Sequence, residues 1–425
     1  MKNDSYFYSS FGGEADILHS SFLDSRPLTL DPRLLTKLKK MKIAYLSPTF
    51  MSDVDLSYLS TLRQECSQIQ CDYYLMLAPR QLRGAAVNIQ SQYPKNGVFP
   101  ASVYEELKAL DCIFPVDQMY VVNSTCTRLY HPASYSCYYQ LYRKLKSYDL
   151  IHYTWPLPIP AFILYLLRHK LVMTVHDPFP HSSEKSRMIK IRRYVAFKLT
   201  KYFVILNQAQ KQDFMKAWRL KADHVFDSRL SAYTYLRGFP NTSISKQEYI
   251  LFFGQVTSHK GLRYLFDAMY ILHQQFPNVK LLVAGRWKYG YSEPELTSPP
   301  DFIRIDNRFI PDHELAVLIQ NAKFVVTPYL DATQSGVIMS AYAFHKPCIA
   351  TNVGGLPEMV IHERYGLIVP PCDSAAIVRA ASRLLNDNTL CQKLSENISR
   401  DYLEGEKSWK KIVHDLVSYY KLIIE

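Results

Sequence analysis

Residues 327–360 read TPYLDATQSGVIMSAYAFHKPCIATNVGGLPEMV, and this stretch decides the fold. Its pattern is a buried strand, a loop of small residues, a short helix, a second strand and a glycine turn that opens another helix. Strands that alternate with helices are typical of a parallel α/β sheet. Small residues before a helix leave backbone N–H groups open to a phosphate. The stretch therefore predicts a doubly wound sheet with a phosphate-containing ligand at its edge.

The same alternation continues on both sides of this stretch. Before it, the strand candidates are Ile43–Leu46, Tyr73–Leu77, Leu150–Tyr153, Leu171–Val175, Phe203–Leu206 and His224–Phe226. Residues 82–130 show no clear period and are interpreted as a loop-rich insertion. Around and after the stretch, the strand candidates are Tyr249–Phe253, Val279–Ala284, Phe302–Ile305, Phe324–Thr327, Cys348–Thr351 and Gly366–Val369.

A break divides the two series of strands. Residues 238–243 read GFPNTS, a composition that marks a linker. We therefore expect an N-terminal extension at 1–40, a Rossmann-like domain at 41–240, a second one at 241–405, and a closing helix at 406–425 that packs back on the first domain. Two doubly wound halves face a cleft between the carboxyl ends of their strands, where ligands bind in such folds.

Composition limits the class of protein. The chain has 425 residues, 48% of them hydrophobic and 21% charged, which is ordinary for a globular protein. The longest apolar run, 159–172, is interrupted by charged residues and is too short to span a bilayer. The first twenty residues contain acidic side chains and no apolar block, and the eight cysteines form no Cys-x-x-Cys pair. We expect a cytoplasmic protein without a secretory signal, disulfides or a zinc site.

The net charge of +12 favours anionic partners. Basic residues cluster at 185–201, where apolar side chains are interleaved with them. One interpretation is a solvated helix face on a packed core. The other is docking to an anionic membrane surface at the inner face of the membrane. Nucleic-acid binding has only the net charge in its favour, since no binding module is readable in the sequence.

Glycine turns mark three places where phosphates can bind. Gly254 and Gln255 follow the strand at 249–253, and Lys260 stands at the start of the next helix, where an ammonium group suits a diphosphate. Ser335 or Thr333 can cap the helix that follows Gly336, at whose start a phosphate can bind. A capped helix that binds no phosphate would have the same sequence.

The third glycine turn is Gly354-Gly355-Leu356-Pro357-Glu358. Its pattern predicts Pro357 at the first position of a helix over Pro357–Ile361, since proline favours that position. Glu358 then lies in the first turn of this helix and faces the same edge of the cleft.

Five segments in order, FFGQVTSHKGLRYLFDAM, LLVAGR, RFIPDHELAVLIQNAKFVVTPY, AYAFHKPCIATNVGGLPEMV and YGLIVPPCD, give the chain a family resemblance. They are similar to the C-terminal domain of family 4 glycosyltransferases (glycosyl transferases group 1), which have the GT-B fold. The resemblance covers roughly residues 248–390 strongly. It extends more weakly to the first half through YDLIHYTW and LVMTVHDPFP.

The resemblance implies a role for several residues. Lys260 matches the lysine on the donor diphosphate, and Gln255 stands where the family usually has an arginine on that group. Backbone at Gln334, Ser335 and Gly336 matches the helix start that meets the phosphates. The segment against which the nucleobase lies is matched by Arg308, Phe309 and Ile310.

His176 matches the histidine that reaches the transferred sugar from the N-terminal domain. Structurally, it can also be a strand-end histidine that holds a loop.

The chain also departs from the family. Ala332 and Ser340 occupy the positions of two glutamates, the first near the donor sugar and the second on the ribose. Asp331 is adjacent but offset by one residue. Ser340 can still hydrogen-bond a ribose hydroxyl, and Gln255 offers only a neutral hydrogen bond in place of a guanidinium.

The resemblance implies a retaining, metal-independent glycosyltransferase without a cofactor. It would use a nucleotide-diphosphate sugar and a saccharide or lipid-linked saccharide acceptor, in the synthesis of a cell-surface polysaccharide or glycolipid. Two alternatives stay open: a degenerate, non-catalytic subunit that binds a nucleotide-sugar or a partner enzyme, and a sugar-nucleotide epimerase on the same fold.

Overall fold

Two sheets organise the protein, one mostly and one entirely parallel. The computed structural model describes residues 40–77, 87, 89, 96–124, 132–176, 178–179, 187–240, 249–288, 290–332 and 334–425. The predicted extension at 1–40 lies outside this part of the chain except for its last residue. Asp177 and Thr333 lie outside it too, as does most of the predicted linker after Pro240. Residues Met41–Glu425 form one compact unit.

The first sheet has eight strands in the order β3-β4-β2-β1-β5-β6-β7-β8. All neighbours are parallel except β3, which pairs antiparallel with β4 at one edge. The strands are β1 (Met41–Pro48), β2 (Ile69–Leu77), β3 (Gly97–Pro100), β4 (Met119–Asn123), β5 (Leu150–Tyr153), β6 (Leu171–Val175), β7 (Tyr202–Ile205) and β8 (Val225–Asp227). The order reverses between β1 and β5, which places a switch point at the carboxyl ends of these two strands.

Helices cover both faces of this sheet, which with them forms the first lobe. The helices are α1 (Ser52–Glu65), α2 (Glu105–Lys108), α3 (Pro132–Leu145), α4 (Ala161–Leu167), α5 (Arg187–Leu199) and α6 (Lys211–Trp218). Strand side chains alternate between the faces, so Tyr45 packs in the core cluster that contains Leu59 of α1. Leu46 packs on the opposite face, in the cluster that contains Leu141 of α3, Ile163 of α4 and Phe197 of α5.

The second sheet is parallel throughout, with the order β11-β10-β9-β12-β13-β14. Its strands are β9 (Tyr249–Phe253), β10 (Leu281–Ala284), β11 (Ile303–Asp306), β12 (Ala322–Thr327), β13 (Cys348–Thr351) and β14 (Gly366–Val369). This is the six-strand Rossmann order, and its switch point lies between β9 and β12. The predicted fold class, two doubly wound Rossmann-like sheets, is confirmed.

Helices flank the second sheet to form the second lobe, and one more helix closes the chain. They are α7 (Leu262–Gln275), α8 (Pro294–Thr297), α9 (Asp312–Asn321), α10 (Gly336–Ala343), α11 (Leu356–Met359), α12 (Ser374–Asn386), α13 (Asn388–Ile398) and the closing α14 (Trp409–Ile424). Helix α14 returns to α1 of the first lobe, where the Tyr58 and Tyr420 hydroxyls are 3.1 Å apart. In the described part of the chain, no helix is both long and apolar enough to cross a membrane.

The segment 231–238 lies where the two lobes meet. On one side, the N–H of Tyr235 donates to Ser57 Oγ of α1 at 3.3 Å. On the other, the N–H of Tyr233 donates to the Met339 carbonyl of α10 at 3.0 Å. The indole of Trp409 in α14 donates to the Ala232 carbonyl at 2.6 Å. These contacts tie the segment to both lobes and to the closing helix.

Two acidic residues approach the same segment from different lobes. Asp53 lies in the first turn of α1 and Asp312 is the first residue of α9. One carboxylate oxygen of each is buried and has no hydrogen-bond partner among the described residues. Burial raises the pKa of Asp53 to about 7, and burial together with the Asp53 charge raises the pKa of Asp312 to about 8. The Tyr235 hydroxyl lies against Asp312.

The structure corrects the interpretation of residues 82–130 as a loop-rich insertion. Within this region β4 is a full member of the sheet beside β2, and β3 forms its antiparallel edge. Both strands are short, and turns and the one-turn helix α2 separate them, so neither strand has enough residues to establish a period in the sequence.

Candidate functional site

The carboxyl ends of β9 and β12 form the edge at which the predicted phosphate-binding residues meet. Gly254 follows β9 with φ +105°, a conformation that favours glycine. Its N–H donates to the Ala284 carbonyl at 3.0 Å, which fixes the turn. A Cβ at Gly254 would lie 3.4 Å from the side chain of Val337 in the first turn of α10. The turn after β9 and the start of α10 are therefore neighbours.

The loops after β9 and β12 are also joined directly. Gly261 precedes α7 with φ +62°, and a Cβ there would overlap the Pro328 carbonyl oxygen. The N–H of Leu330 donates to the His259 carbonyl at 2.8 Å. Because Gly261 has no side chain, Lys260 is brought to the loop that follows β12.

Lys260 lies over the ring of Tyr329, with its Nζ 3.5 Å from the ring centre. Burial lowers the pKa of Lys260 to about 8. Within the described ranges, no carboxylate forms an ion pair with this ammonium group. The site thus holds a cation that an aromatic ring supports and that no charge of the described residues neutralises. Sequence reasoning missed Tyr329, because the motif Thr-Pro-Tyr at the end of β12 does not by itself distinguish this tyrosine from a core residue.

Helix α10 begins at Gly336, one residue before the predicted start. Ser335 occupies the N-cap position, but its hydroxyl makes no capping hydrogen bond, so the prediction of a side-chain cap by Ser335 is wrong. The hydroxyl is buried beside Tyr329 instead. The first N–H groups of a helix have no partner within the helix. Without a serine cap they remain suited to an anion.

The turn after β13 is held to the loop after β12. The N–H of Gly355 donates to the Ala332 carbonyl at 3.3 Å, and the Thr351 hydroxyl donates to the Tyr329 carbonyl at 2.6 Å. With Leu330 bonded to His259, the loop is fixed on both sides of Asp331. Asp331 itself is exposed. It is adjacent in sequence to Ala332, which the resemblance aligns with a glutamate.

The remaining polar predictions differ in exposure. Gln255, Gln334 and Glu358 are exposed, whereas Ser340 is only 6% exposed within α10. The predicted helix Pro357–Ile361 is shorter and begins earlier, at Leu356, so Pro357 is its second residue and not its first. The ribose contact of Ser340 stays a prediction.

Arg308 follows β11 at the edge of the second sheet, two strands from β9. Its guanidinium is held by Asp306, with Nε to Oδ1 at 2.9 Å, and by both carboxylate oxygens of Glu314. Ile310 is buried and Phe309 is half-buried. The positive charge of Arg308 is therefore compensated within the protein, and the contact of Arg308, Phe309 and Ile310 with a nucleobase stays a prediction.

His176 lies at the end of β6 in the first lobe. Its ring centre is 6.1 Å from that of Trp155, and it lines a cavity with Arg229 and with Trp409 of α14. The buried His152 nearby bonds Thr174 Oγ1 through Nε2 at 2.7 Å and Tyr420 through Nδ1. Burial and the charge of His176 lower the pKa of His152 to about 3.

The structure thus groups some predicted residues and separates others. Gly254, Lys260, Ser335 and Gly336 meet at the switch point of the second sheet. His176 lies in a cavity at the carboxyl edge of the first sheet, together with Arg229, which sequence reasoning missed. No group of three or more His, Cys, Asp or Glu among the described residues is placed to hold a metal ion.

Comparison with known proteins agrees with this geometry. Residues 247–387 match a family described as group 1 glycosyl transferases. An uncharacterised glycosyltransferase of Methanocaldococcus jannaschii is 24% identical over 303 residues, covering 66% of this chain and 76% of that protein. A capsular polysaccharide biosynthesis glycosyltransferase of Staphylococcus aureus is 28% identical over 177 residues, covering 40% of this chain and 45% of that protein.

Solved structures show the same fold. An Anabaena protein in complex with UDP-glucose superposes with a TM-score of 0.58 at 15% identity, covering 89% of this chain and 99% of that one. A UDP-N-acetylglucosamine 2-epimerase superposes with a TM-score of 0.60 at 14% identity, covering 91% of this chain and 97% of that one. The resemblance to group 1 glycosyltransferases over the second lobe and the GT-B architecture are both confirmed.

Proposed function

We propose that this chain, which carries a group 1 glycosyltransferase domain over residues 247–387, is a retaining transferase that uses a nucleotide-diphosphate sugar. The acceptor is a saccharide or a lipid-linked saccharide. One observation carries the proposal. At the switch point of the second sheet, a half-buried lysine without an ion-pair partner among the described residues lies over Tyr329, whose hydroxyl neighbours Ser335 at the start of α10.

This arrangement suits a diphosphate. Lys260 supplies a positive charge whose pKa burial has lowered, so a bound anion relieves the cost of keeping that charge out of water. The start of α10 supplies N–H groups and the positive end of a helix dipole. Both stabilise the negative charge that grows on the leaving diphosphate during transfer, which is the largest contribution that a protein makes to such a reaction.

The reaction needs few protein groups beyond these. The bond between the anomeric carbon and the diphosphate oxygen breaks, the acceptor oxygen attacks the same face of the sugar, and the acceptor proton passes to the leaving diphosphate. Positioning and charge stabilisation then do most of the catalysis. In this proposal the protein uses neither a metal ion nor a cofactor, and transfer continues in the presence of a chelator.

Asp331 is proposed to contact the donor sugar. Ala332 cannot hydrogen-bond a sugar hydroxyl through its side chain, whereas Asp331 is exposed on a loop that hydrogen bonds fix on both sides. A carboxylate accepts hydrogen bonds from sugar hydroxyls and is stronger than a neutral acceptor. In this proposal, the conformation of the loop after β12 brings Asp331 to the place that the family's glutamate occupies, although Asp331 stands one residue earlier in the sequence. His176 is proposed to approach the same sugar from the first lobe.

The acceptor is proposed to be assembled into a cell-surface polysaccharide or glycolipid at the cytoplasmic face of a membrane. The support is the capsular polysaccharide enzyme among the relatives and the excess of basic residues in the first half of the chain. Attraction to anionic lipid would bring the protein to a lipid-linked acceptor.

A donor screen tests the proposal. UDP-, GDP- and ADP-sugars and the free nucleotides are added to the protein, and the shift in Tm reports binding to the folded state. Donors that stabilise the protein are then incubated with saccharide acceptors, and the anomeric configuration of the product is read by NMR. If no nucleotide or nucleotide-sugar raises Tm, the donor site is wrong. A product with inverted configuration contradicts retention.

Two other functions share the fold. The similarity to a 2-epimerase favours sugar-nucleotide epimerisation as the second candidate, and it would appear as donor turnover without any acceptor. Ala332 and Ser340, which replace the family's glutamates, favour a non-catalytic subunit, and it would bind a donor without turning it over. The same screen separates these functions.

A further inference from the structure

Helix α4 is apolar on both of its sides. Ile163, Leu164 and Leu167 are buried against the first sheet. The opposite side would normally be polar in a soluble protein. Here it carries Phe162, Tyr165 and Leu166, exposed by 50%, 52% and 53%. These three side chains do not contribute to the packing of α4 on the sheet, because they lie on its exposed side.

The neighbouring helices extend this exposed face. On α3, Tyr135 and Tyr139 are exposed, and the Tyr135 ring stacks on that of Phe162 with centres 6.1 Å apart. On α5, which packs against α4, the exposed apolar residues are Met188, Ile189, Ile191 and Tyr194. Together the exposed aromatic and aliphatic residues of α3, α4 and α5 form what we term the outer aromatic surface.

The charge of the same helices is of one sign. No Asp or Glu occurs on α3, α4 or α5, whereas their basic residues outside the core are Arg143, Lys144, Arg187, Lys190, Arg192 and Lys198. Arg193 of α5 is buried and does not belong to this surface. Basic and aromatic groups are interleaved: the Arg168 guanidinium lies 4.1 Å from the Tyr165 ring centre, and Lys198 lies 5.9 Å from that of Tyr194.

We infer that the outer aromatic surface docks on an anionic lipid bilayer. Tyrosine and phenylalanine favour the boundary between headgroups and acyl chains, and lysine and arginine favour anionic headgroups. A surface with only one sign of charge complements anionic lipid, with about 1 kcal/mol contributed by each basic residue near the membrane. The sequence pointed to a basic helix alone; the structure adds the aromatic faces of two further helices.

The position of this surface suits a lipid-linked acceptor. Helices α4 and α5 follow β5 and β6 in the chain, so both helices begin at the carboxyl edge of the first sheet, where His176 lies. A molecule anchored in the bilayer beside these helices would therefore reach that edge. The delivery of a lipid-linked acceptor to this edge rests on the proposed function, whereas docking to the membrane does not.

Flotation of the full-length protein with lipid vesicles tests the inference. We expect binding to vesicles of phosphatidylcholine with phosphatidylglycerol, weaker binding to phosphatidylcholine alone, and partial release by salt. Lys190→Gln and Lys198→Gln should each weaken partitioning about fivefold. Phe162→Ser with Leu166→Ser should weaken it further. Ile271→Ser removes a residue of α7 that is similarly exposed, 41%, and should leave partitioning unchanged.

Several results would overturn the inference: no partitioning into the anionic vesicles, an equal loss with Ile271→Ser, or no loss with the variants of α4. So would conversion of a dimer to a monomer by Phe162→Ser and Leu166→Ser with vesicle binding intact, because the surface would then join two copies. Transfer to a water-soluble acceptor without vesicles should be unchanged in the surface variants. Absence of transfer by the unaltered protein to every saccharide acceptor, both water-soluble and lipid-linked in vesicles, would instead contradict the proposed function.

Discussion

The Nζ of Lys260 lies 3.5 Å from the centre of the Tyr329 ring, and this pair joins the loop after β9 to the loop after β12. The ring attracts the ammonium group but supplies no counter-charge. Burial lowers the pKa of Lys260 to about 8, so the charged form is held at a cost in the absence of an anion. A diphosphate at this place would remove that cost.

Replacing Lys260 with methionine should therefore weaken donor binding strongly. Hydrogen bonds to charged groups contribute about 1.5–3 kcal/mol, which corresponds to an affinity loss of about 10- to 100-fold. Isothermal titration with the donor found in the screen gives the Kd. Lys280→Met is the matched control, because Lys280 is exposed and immediately precedes β10 at the opposite edge of the sheet. Equal losses in both variants would contradict a specific role for Lys260.

Donor binding should weaken as the pH rises above about 8. Below this pH the ammonium of Lys260 is already charged in the free protein. Above it, the free protein must take up a proton to bind a diphosphate, so the Kd should increase by up to about tenfold per pH unit. The Lys260→Arg variant keeps its charge and should show no such increase. A constant Kd in the unaltered protein up to about pH 9.5 would exclude this role of the charge.

Gly261→Ala should destabilise the protein more than an ordinary glycine substitution. The backbone there has φ +62°, and a Cβ would overlap the Pro328 carbonyl oxygen. Gly290→Ala is the matched control, since its φ of +82° is also left-handed but no atom lies within 4 Å of the added carbon. We expect about 1–2 kcal/mol for the control and at least about 3 kcal/mol for Gly261, from urea unfolding. Equal losses of stability in Gly261→Ala and Gly290→Ala would show that the loop containing Pro328 moves away from the added carbon at no cost.

The carboxyl groups of Asp53 and Asp312 should make stability depend on pH. Both pKa values are raised above those of the unfolded chain, to about 7 and about 8, so the folded protein retains protons that the unfolded chain releases. Their contribution to stability is present below about pH 4 and is lost as the pH rises to about 8. Each pKa unit corresponds to about 1.4 kcal/mol.

Asp312→Asn should remove much of this dependence. The variant keeps the shape of the side chain without its charge, so it should be more stable than the unaltered protein at about pH 8.5, by about 2–4 kcal/mol. Urea unfolding at several pH values measures this difference. Asp301→Asn, at an exposed position of the same lobe, should have little effect. A variant that is less stable at every pH would show that the Tyr235 contact requires the carboxylate.

Asp331→Asn should affect sugar transfer and not nucleotide binding. We expect kcat/KM to fall about 10-fold or more, since a charged hydrogen bond to the sugar is lost, while the Kd of the free nucleoside diphosphate stays the same. Asp301→Asn again serves as the control. A parallel loss of nucleoside diphosphate affinity would place Asp331 at the phosphates and contradict its contact with the sugar.

Much of the fold was predictable because its signals are local. Buried parallel strands are short apolar runs, and the closing helix Trp409–Ile424 lies within the predicted range 406–425. Strands β3 and β4 were missed, because a short strand near a sheet edge acquires its identity from the strand beside it and not from its own period. The order of the strands, and hence the two switch points, follows from pairing between distant segments.

The sequence by itself determined the class of fold, the glycine turns and the position of Lys260, because backbone sterics and apolar periodicity act over a few residues. Only the tertiary structure decided what surrounds them. It placed Tyr329 under Lys260, bound Arg308 to Asp306 and Glu314, and left Ser335 without a capping role. Charge compensation and burial depend on residues far apart in the chain, so no local pattern contains them.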